Sequence, residues 1–251
     1  MNQVLFVTGT DTGVGKTLVT ALIALKIRQM GRSCGVLKPF ASGCEWQNGV
    51  LRSEDADFLQ KTLDLADSTD EICPVRLEEP LSPLIAARRA GISTQNWPQT
   101  AREALETLRA RHDWVVVEGA GGILAPLWDS DEKIGSNLDL INDWGVPAVV
   151  VTRRTLGTLN HTLLTLNSPL KAPAHFAGLV FNDASPIAAD DVAAPTNVAY
   201  LAAVATVPIW GEVPFSPVWN AAKLAEVAAT LQVRLGNTEN APKSRTRSVS
   251  E

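Results

Sequence analysis

The most informative segment of the chain is a glycine-rich run near its start, Gly9-Thr10-Asp11-Thr12-Gly13-Val14-Gly15-Lys16-Thr17. It follows an apolar run at residues 4–8 that predicts a buried strand, and it precedes a helical pattern over about residues 16–30. A glycine-rich turn lets several backbone N–H groups converge on a phosphate, and a helix beginning behind it adds partial positive charge. The segment therefore predicts a nucleotide triphosphate site between a first strand and a first helix.

Within this phosphate loop, the residue types match known roles in triphosphate binding. Lys16 would reach the β- and γ-phosphates, and the Thr17 hydroxyl would ligate Mg²⁺. Five residues separate Gly9 from Gly15, whereas the usual motif has four. The loop alone does not choose among kinases, switches, motors and ligases. The ATP contacts predicted in the loop are Asp11, Thr12, Gly13, Val14, Gly15, Lys16 and Thr17.

Beyond the loop, short apolar runs alternate with longer helical patterns. The runs at residues 114–117, 148–151 and 178–181 are continuously apolar, which indicates strands buried on both faces of a parallel sheet. We therefore predict one α/β domain over residues 1–235, with a doubly wound, mostly parallel sheet flanked by helices. We expect a disordered tail over 236–251, where large apolar residues are nearly missing, and a local surface loop in the acidic segment 129–139.

Composition excludes several classes of protein. The 251 residues are 45% hydrophobic and 20% charged, as in an ordinary globular protein, and no apolar stretch approaches the ~20 residues that span a bilayer. The net charge of -5 argues against general nucleic-acid binding. Three cysteines without metal-ligand spacing and a start without signal-peptide features favour a reduced, cytoplasmic enzyme.

Two acidic residues and a lysine also lie where they could serve the phosphate site. Glu118 ends a buried strand and enters a glycine-rich turn, so it could bind Mg²⁺ directly or through water. Asp55 lies in the first turn of a helix that Ser53 can cap, where an acidic residue equally suits the helix dipole. Lys38 ends the second strand and could either neutralise charge on a moving phosphoryl group or be solvated.

In their order along the chain, these segments resemble the dethiobiotin synthetase family over about residues 3–235. The combination of the five-residue phosphate-loop spacing with the later motifs makes the resemblance specific. Those motifs are Lys38-Pro39-Phe40-Ala41-Ser42-Gly43, Leu51-Arg52-Ser53-Glu54-Asp55, Glu79-Pro80-Leu81-Ser82-Pro83, Val117-Glu118-Gly119-Ala120-Gly121-Gly122, Leu156-Gly157-Thr158-Leu159-Asn160-His161, Asn182-Asp183 and Gly211-Glu212-Val213-Pro214.

The resemblance implies an ATP- and Mg²⁺-dependent ligase of biotin biosynthesis. Its substrates would be 7,8-diaminononanoate (diaminopelargonate), CO₂ or bicarbonate, and ATP, and its products dethiobiotin, ADP and phosphate. The reaction would pass through a carbamate and a carbamic-phosphoric anhydride. By the same resemblance Lys16 and Lys38 would contact the transferring phosphate and carbamate oxygens, with Ser42 beside the carbamate.

The resemblance also implies ligands for the metal, the base and the substrate. The Mg²⁺ ligands would be Thr17, Asp55 and Glu118, with Glu118 also near ATP. Asn182 would read the adenine, with Gly211, Glu212 and Val213 near the base, and Asp183 would also belong to the ATP site. The helix start containing Leu156, Gly157 and Asn160 would receive the substrate carboxylate from a neighbouring subunit, which requires a homodimer with a shared active site. A helix N-terminus suits such an anion.

Three other classes of protein were weighed against this interpretation. A switch ATPase of the ParA/MinD type shares the fold, but such proteins carry an extra lysine early in the loop, where this chain has Gly9-Thr10-Asp11-Thr12. An amidotransferase-linked ligase such as a cobyrinate diamide synthase needs a glutamine-hydrolysing domain for which this length leaves no room. An inactive homologue remains open, although each position implied as catalytic holds a suitable residue.

Overall fold

Strands and helices alternate along the chain in the computed structural model, which describes residues 3–130, 133–168 and 175–234. The strands are β1 (Gln3–Gly9), β2 (Cys34–Leu37), β3 (Phe40–Ala41), β4 (Glu45–Gln47), β5 (Val50–Arg52), β6 (Val75–Arg76), β7 (Trp114–Glu118), β8 (Pro126–Asp129), β9 (Ile134–Ser136), β10 (Ala148–Thr152), β11 (Phe176–Asn182) and β12 (Ile209–Val213). The helices are α1 (Lys16–Gln29), α2 (Glu54–Thr62), α3 (Thr69–Ile72), α4 (Pro83–Ala90), α5 (Trp97–Arg109), α6 (Asn137–Trp144), α7 (Thr158–Asn167), α8 (Ala193–Val204) and α9 (Ala221–Thr230).

Six of the strands form one parallel sheet in the order β12-β11-β10-β1-β7-β2. The predicted doubly wound, mostly parallel architecture is therefore confirmed. The first strand lies in the middle of the sheet, between β10 and β7. In such sheets, ligands bind outside the carboxyl ends of the strands where the strand order reverses. The phosphate loop begins at this point of the sheet.

Helices cover both faces of the sheet, and the central strand packs against both layers. Leu5 and Val7 belong to one buried cluster with residues of α1 and α9, whereas Val4 and Phe6 belong to a second cluster with residues of α5 and α6. Successive side chains of a strand point to opposite faces, so a strand covered on both sides must be apolar at every position. Burial on both faces thus accounts for the continuous apolar runs in the sequence.

The prediction for residues 129–139 was wrong. In place of a surface loop, the antiparallel pair β8 and β9 leads directly into α6. Ser136 and Asp139 form a capping box at the start of this helix: Asp139 N–H donates to Ser136 Oγ, and Ser136 N–H donates to Asp139 Oδ2. Part of the acidity therefore marks a helix N-terminus. The tail predicted over 236–251 lies outside the described residues.

Two helices expected from the sequence are observed close to their predicted positions. The helical pattern over about residues 16–30 is α1, Lys16–Gln29, and the Ser53 hydroxyl accepts a hydrogen bond from Ala56 N–H at the start of α2. Within the described ranges, no helix is both long enough and apolar enough to cross a membrane.

Candidate active site

The phosphate loop connects the end of β1 to the start of α1. Gly15 has a φ of 86°, and a Cβ atom added there would lie 2.1 Å from Nδ2 of Asn182, so only glycine fits. The Lys16 ammonium donates a hydrogen bond across the loop to the Asp11 carbonyl at 3.0 Å. Val14 is buried under the loop, while Asp11, Thr12 and Gly13 are exposed. This arrangement leaves the outer side of the loop accessible to a ligand.

Four side chains from separate elements meet beside the loop. The Thr17 hydroxyl lies 2.9 Å from Asp55 Oδ1 and 2.8 Å from Glu118 Oε1. The Lys38 ammonium lies 2.6 Å from Asp55 Oδ2 and 2.7 Å from Glu118 Oε1. The structure therefore brings together the three residues implied as Mg²⁺ ligands and one of the two implied lysines.

Burial and mutual proximity determine the protonation behaviour of this cluster. Burial raises the pKa of Glu118, and the Lys38 charge opposes that rise without cancelling it. Burial acts to lower the pKa of Lys38, but the carboxylates of Glu118 and Asp55 outweigh it and the net pKa is raised. Burial is also the largest influence on Lys16, whose pKa falls to about 8. The two lysines thus differ, because Lys38 has its counter-ions in contact and Lys16 does not.

The oxygen atoms of this cluster suit a magnesium ion. Thr17, Asp55 and Glu118 supply hydroxyl and carboxylate oxygens, and Glu118 Oε2 is buried with no hydrogen-bond partner among the described residues. Magnesium is commonly held by one or two carboxylates, with phosphates and waters completing its shell. The described chain contains no group of three or more His, Cys, Asp or Glu side chains that would form a complete metal cage. The residues present therefore fit a metal that arrives with a nucleotide.

Asn137, at the start of α6, holds the glycine-rich turn that follows Glu118. Its Nδ2 donates hydrogen bonds to the carbonyls of Ala120 and Gly122, both at 2.7 Å, and a Cβ atom at Gly119 would lie 2.5 Å from its Oδ1. Sequence reasoning missed Asn137 because it lies in the segment interpreted as a surface loop. The helix-cap pattern of Ser136 and Asp139 is the signal that could have revealed it.

Ser42 lies just beyond β3 and is half-buried. The next residue, Gly43, donates its N–H to the carbonyl of Glu79 at 3.2 Å. The hydrogen bonds described within the resolved ranges do not join Ser42 to Lys38 or Glu118. Within the described residues, Ser42 therefore makes no hydrogen bond to the cluster.

The residues implied as base contacts meet around a second part of the site. Asn182 ends β11, and its Nδ2 donates to the Val14 carbonyl at 2.9 Å, while its Oδ1 is buried without a partner among the described residues. Asp183 N–H donates to the Val213 carbonyl at 2.9 Å, which joins the ends of β11 and β12. A cavity of about 240 Å³ opens here beside the phosphate loop. Its lining includes Gly13, Arg153, Arg154, Asn182, Asp183 and Ser185.

An arginine that the sequence did not single out binds two of these predicted residues. Arg154 pairs with Asp183 through two hydrogen bonds, one of them from Nε to Oδ1 at 2.9 Å. Its Nη1 also lies 2.6 Å from Glu212 Oε2. Gly211, next to Glu212, has a φ of 154° and packs close to Leu231. The predicted base contacts are thus tied together by a residue outside every quoted motif.

The predicted substrate segment lies at the start of α7. Leu156 is 89% exposed, Gly157 has a φ of 94°, and Asn160, the third residue of α7, is exposed. A smaller cavity of about 50 Å³ separates this helix start from the phosphate loop. Asp11 and Leu156 both line it. The segment is therefore accessible and lies near the loop.

Comparisons with known proteins identify relatives of this chain. A family model described as an AAA domain matches residues 3–223. An ATP-dependent dethiobiotin synthetase of Thermodesulfovibrio yellowstonii is 40% identical over 227 residues, covering 89% of this chain and 93% of the relative. That of Geobacillus kaustophilus is 32% identical over 228 residues, covering 91% and 92%. Among solved structures, the septum site-determining protein MinD of Pyrococcus horikoshii, complexed with Mg-ADP, has a TM-score of 0.52 at 16% identity, covering 91% of this chain and 95% of that one. That likeness shows the fold alone.

Proposed function

Since this chain belongs to the ATP-dependent dethiobiotin synthetase family, a family of biotin-biosynthetic enzymes, we propose that it converts 7,8-diaminononanoate and CO₂ to dethiobiotin. ATP would be converted to ADP and phosphate in the same reaction. The observation that carries the proposal is the convergence of Thr17, Lys38, Asp55 and Glu118 beside the phosphate loop. Such a cluster can hold a triphosphate and a second anion side by side.

In the first proposed step, one amine of the substrate attacks CO₂. A new N–C bond forms, the nitrogen loses a proton, and the product is a carbamate with a full negative charge. Lys38 is placed to attract that charge because its ammonium is buried and held at the site by Asp55 and Glu118. Ser42, four residues after Lys38, would lie beside the carbamate.

In the next steps the carbamate becomes activated and the ring closes. A carbamate oxygen attacks the γ-phosphorus of ATP, the bond to the bridging oxygen breaks, and ADP leaves. The second amine then attacks the carbonyl carbon, phosphate leaves, and a proton is lost as the ureido ring forms. Lys16 and the loop N–H groups would stabilise the phosphate charge. Bound Mg²⁺, held by Thr17, Asp55 and Glu118, would neutralise part of the triphosphate charge.

The nucleoside would occupy the cavity of about 240 Å³ beside the loop. Asn182 Oδ1, buried and unpaired among the described residues, is suited to accept a hydrogen bond from the amino group of adenine. The neighbouring contacts would come from Asp183, Gly211, Glu212 and Val213.

The three cysteines are consistent with the cytoplasmic location that we propose. Cys34, Cys44 and Cys73 are all buried free thiols. Burial raises the pKa of Cys34 and of Cys73 to about 12, so neither forms a reactive thiolate near neutral pH. Unpaired, unreactive thiols suit a reducing compartment.

The proposed reaction is tested by incubating the protein with Mg-ATP, bicarbonate and diaminopelargonate and measuring dethiobiotin by mass spectrometry. ADP release should be slow without the diamine, because phosphoryl transfer needs the carbamate. Equal ADP release with and without diamine and bicarbonate, and no dethiobiotin, would instead favour a switch ATPase of the ParA/MinD type.

We also propose that the protein is a homodimer in which the start of α7 binds the substrate carboxylate of the partner's site. Asn160→Ala should then raise the KM for diaminopelargonate roughly tenfold or more, since a hydrogen bond to a charged group is lost, while ATP binding stays nearly unchanged. Asn167→Ala, at the other end of α7, is the matched control.

Subunit exchange tests the shared site directly. Lys16→Ala and a severe Asn160 variant, each inactive alone, should regain some activity when mixed, because a heterodimer contains one intact composite site. Sedimentation would verify assembly. An active monomer, or heterodimers without activity, would remove the shared-site proposal and leave the ATP site standing.

A further inference from the structure

Arg154 lies two residues beyond the end of β10 and joins three strand ends. Its guanidinium contacts Asp183, which follows β11, and Glu212, which lies in β12. Its own carbonyl accepts a hydrogen bond from Asn197 Nδ2 of α8 at 2.9 Å. Both the main chain and the side chain of Arg154 are therefore fixed before any ligand arrives.

The degree of burial makes this contact more than a surface ion pair. The Asp183 side chain is only 4% exposed and that of Arg154 is 24% exposed, whereas that of Glu212 is 43% exposed. A two-bond arginine–carboxylate pair sheltered from water is stronger and more directional than an exposed pair. Of the two ion pairs of Arg154, the one with Asp183 is therefore the stronger and the one with Glu212 the weaker.

The opposite charges of Arg154 and Asp183 influence how the cavity can bind a ligand. Arg154 and Asp183 both line the cavity beside the phosphate loop. Without Arg154, the Asp183 carboxylate would face the cavity unpaired, and its oxygens would not be held in one orientation. With Arg154 in place, the charge of Asp183 is balanced and its two oxygens are fixed.

We infer that Arg154 is a positioning residue for the nucleoside part of the nucleotide, acting through Asp183 and Glu212. It neutralises and fixes these carboxylates, so that the cavity accepts an uncharged ribose and base next to the triphosphate. The inference rests on the proposed function only in taking a nucleoside triphosphate as the ligand. The phosphates would bind the loop, so the positioning effect is expected on the nucleoside part of the ligand.

The test compares a nucleotide with its phosphates alone. Kd values for Mg-ATP and for Mg-tripolyphosphate are measured by calorimetry without diamine, on wild type and on Arg154→Gln. The variant should bind ATP roughly tenfold more weakly, as expected for the loss of hydrogen bonds to charged groups, and tripolyphosphate within about twofold of wild type. Equal weakening of both ligands, or unchanged ATP affinity, would overturn the inference.

Two further variants separate positioning from general damage. Arg154→Lys keeps the charge but loses the two-bond geometry, so its ATP affinity should lie between wild type and Arg154→Gln. Adding Asp183→Asn to Arg154→Gln removes the uncompensated charge and should recover part of the ATP affinity. No recovery, together with a lowered melting temperature, would contradict the assigned role.

Arg89→Gln is the matched control, because Arg89 is an exposed arginine that pairs with Glu79 on a different segment. It should change neither Kd. The binding measurements contain no diamine, so they test the role of Arg154 even if the protein makes no dethiobiotin. Dethiobiotin formation is measured separately and tests the proposed reaction.

Discussion

A cluster of charged side chains lies at each end of β7, and the two clusters differ in their hydrogen bonding. At its carboxyl end, Glu118 meets Lys38, Asp55 and Thr17 beside the phosphate loop. At its amino end, His112 and Asp113 precede the strand. There His112 Nε2 lies 2.8 Å from Asp67 Oδ2, Arg111 pairs with Asp67 and Glu71, and Asp113 accepts hydrogen bonds from Ser33.

The two clusters differ in whether each buried carboxylate oxygen has a hydrogen-bond partner. Both carboxylate oxygens of Asp67 have partners, at 2.8 Å and 3.2 Å, so the amino-end network is closed and connects the α2–α3 segment to the sheet. Glu118 is equally buried, yet its Oε2 has no partner among the described residues. A buried acceptor without a partner destabilises a protein unless a ligand uses it. The unpaired Glu118 Oε2 therefore distinguishes the cluster beside the phosphate loop from the closed network at the other end of the strand.

The largest expected effect comes from breaking the incomplete cluster. Glu118→Gln and Asp55→Asn each remove a charge that would hold a dication against phosphate oxygens, so turnover should fall by at least ~10²-fold. The melting temperature should change little, because Lys38 keeps one carboxylate partner in either variant. Steady-state kinetics and thermal unfolding give the two readouts. Wild-type turnover in Asp55→Asn would mean that Asp55 serves only the start of α2.

Breaking the closed network should give the reverse pattern. Asp67→Asn removes a buried charge that binds both His112 and Arg111, so the free energy of unfolding should fall by about 2 kcal/mol. The kcat of the folded protein should stay at the wild-type value, because the network lies at the far end of the strand. Urea denaturation and kinetics on the same sample check both statements. A drop in kcat without a drop in stability would contradict the assignment of a structural role to the network at the amino end of β7.

The smallest expected effect is on pH dependence at the amino end. The Ser68 backbone N–H and then Arg111 lower the pKa of Glu71 to about 2, from an ordinary value of 4.5. A depressed carboxyl pKa contributes stability that is complete above about pH 4.5 and is lost as the pH falls toward 2. Glu71→Gln should therefore flatten the fall of melting temperature across that window.

Glu226→Gln on α9, a more exposed glutamate that also pairs with a neighbouring cation, serves as its control. Identical pH profiles for wild type and Glu71→Gln would show that the Ser68 and Arg111 contacts do not act in solution.

The proximity of the residues in the carboxyl-end cluster could be predicted from the sequence, because each lies at a predicted strand end, at a helix start or in the phosphate loop. Lys38 and Glu118 come directly at strand ends, Asp55 lies in the first turn of a capped helix, and Thr17 belongs to the loop. In a parallel sheet those ends share one edge, so a correct fold class already brings such residues together. Whether each acts as the family resemblance implies stays a prediction.

The residues that were not predicted bind partners that lie far from them along the sequence. Arg154 binds a carboxylate 29 residues away and another 58 residues away, and His112 binds Asp67 across 45 residues. Asn137 holds a turn 15 to 17 residues before it. Single polar residues such as Arg154 and His112 have no periodicity that would reveal their partners, whereas the helix cap of Ser136 and Asp139 could have pointed to Asn137.

The position of β1 in the sheet also has a consequence for synthesis of the chain. The first strand made has no early neighbour, because β7 inserts between β1 and β2 and pairs with both. Thr17 and Glu118 are 101 residues apart, so at 5–20 residues per second a ribosome needs roughly 5–20 s to bring the second after the first. During that time the apolar strands β1 and β2 have left the ribosome without the strand that pairs with both, so a nascent chain that stalls before β7 exposes apolar side chains and unpaired backbone groups.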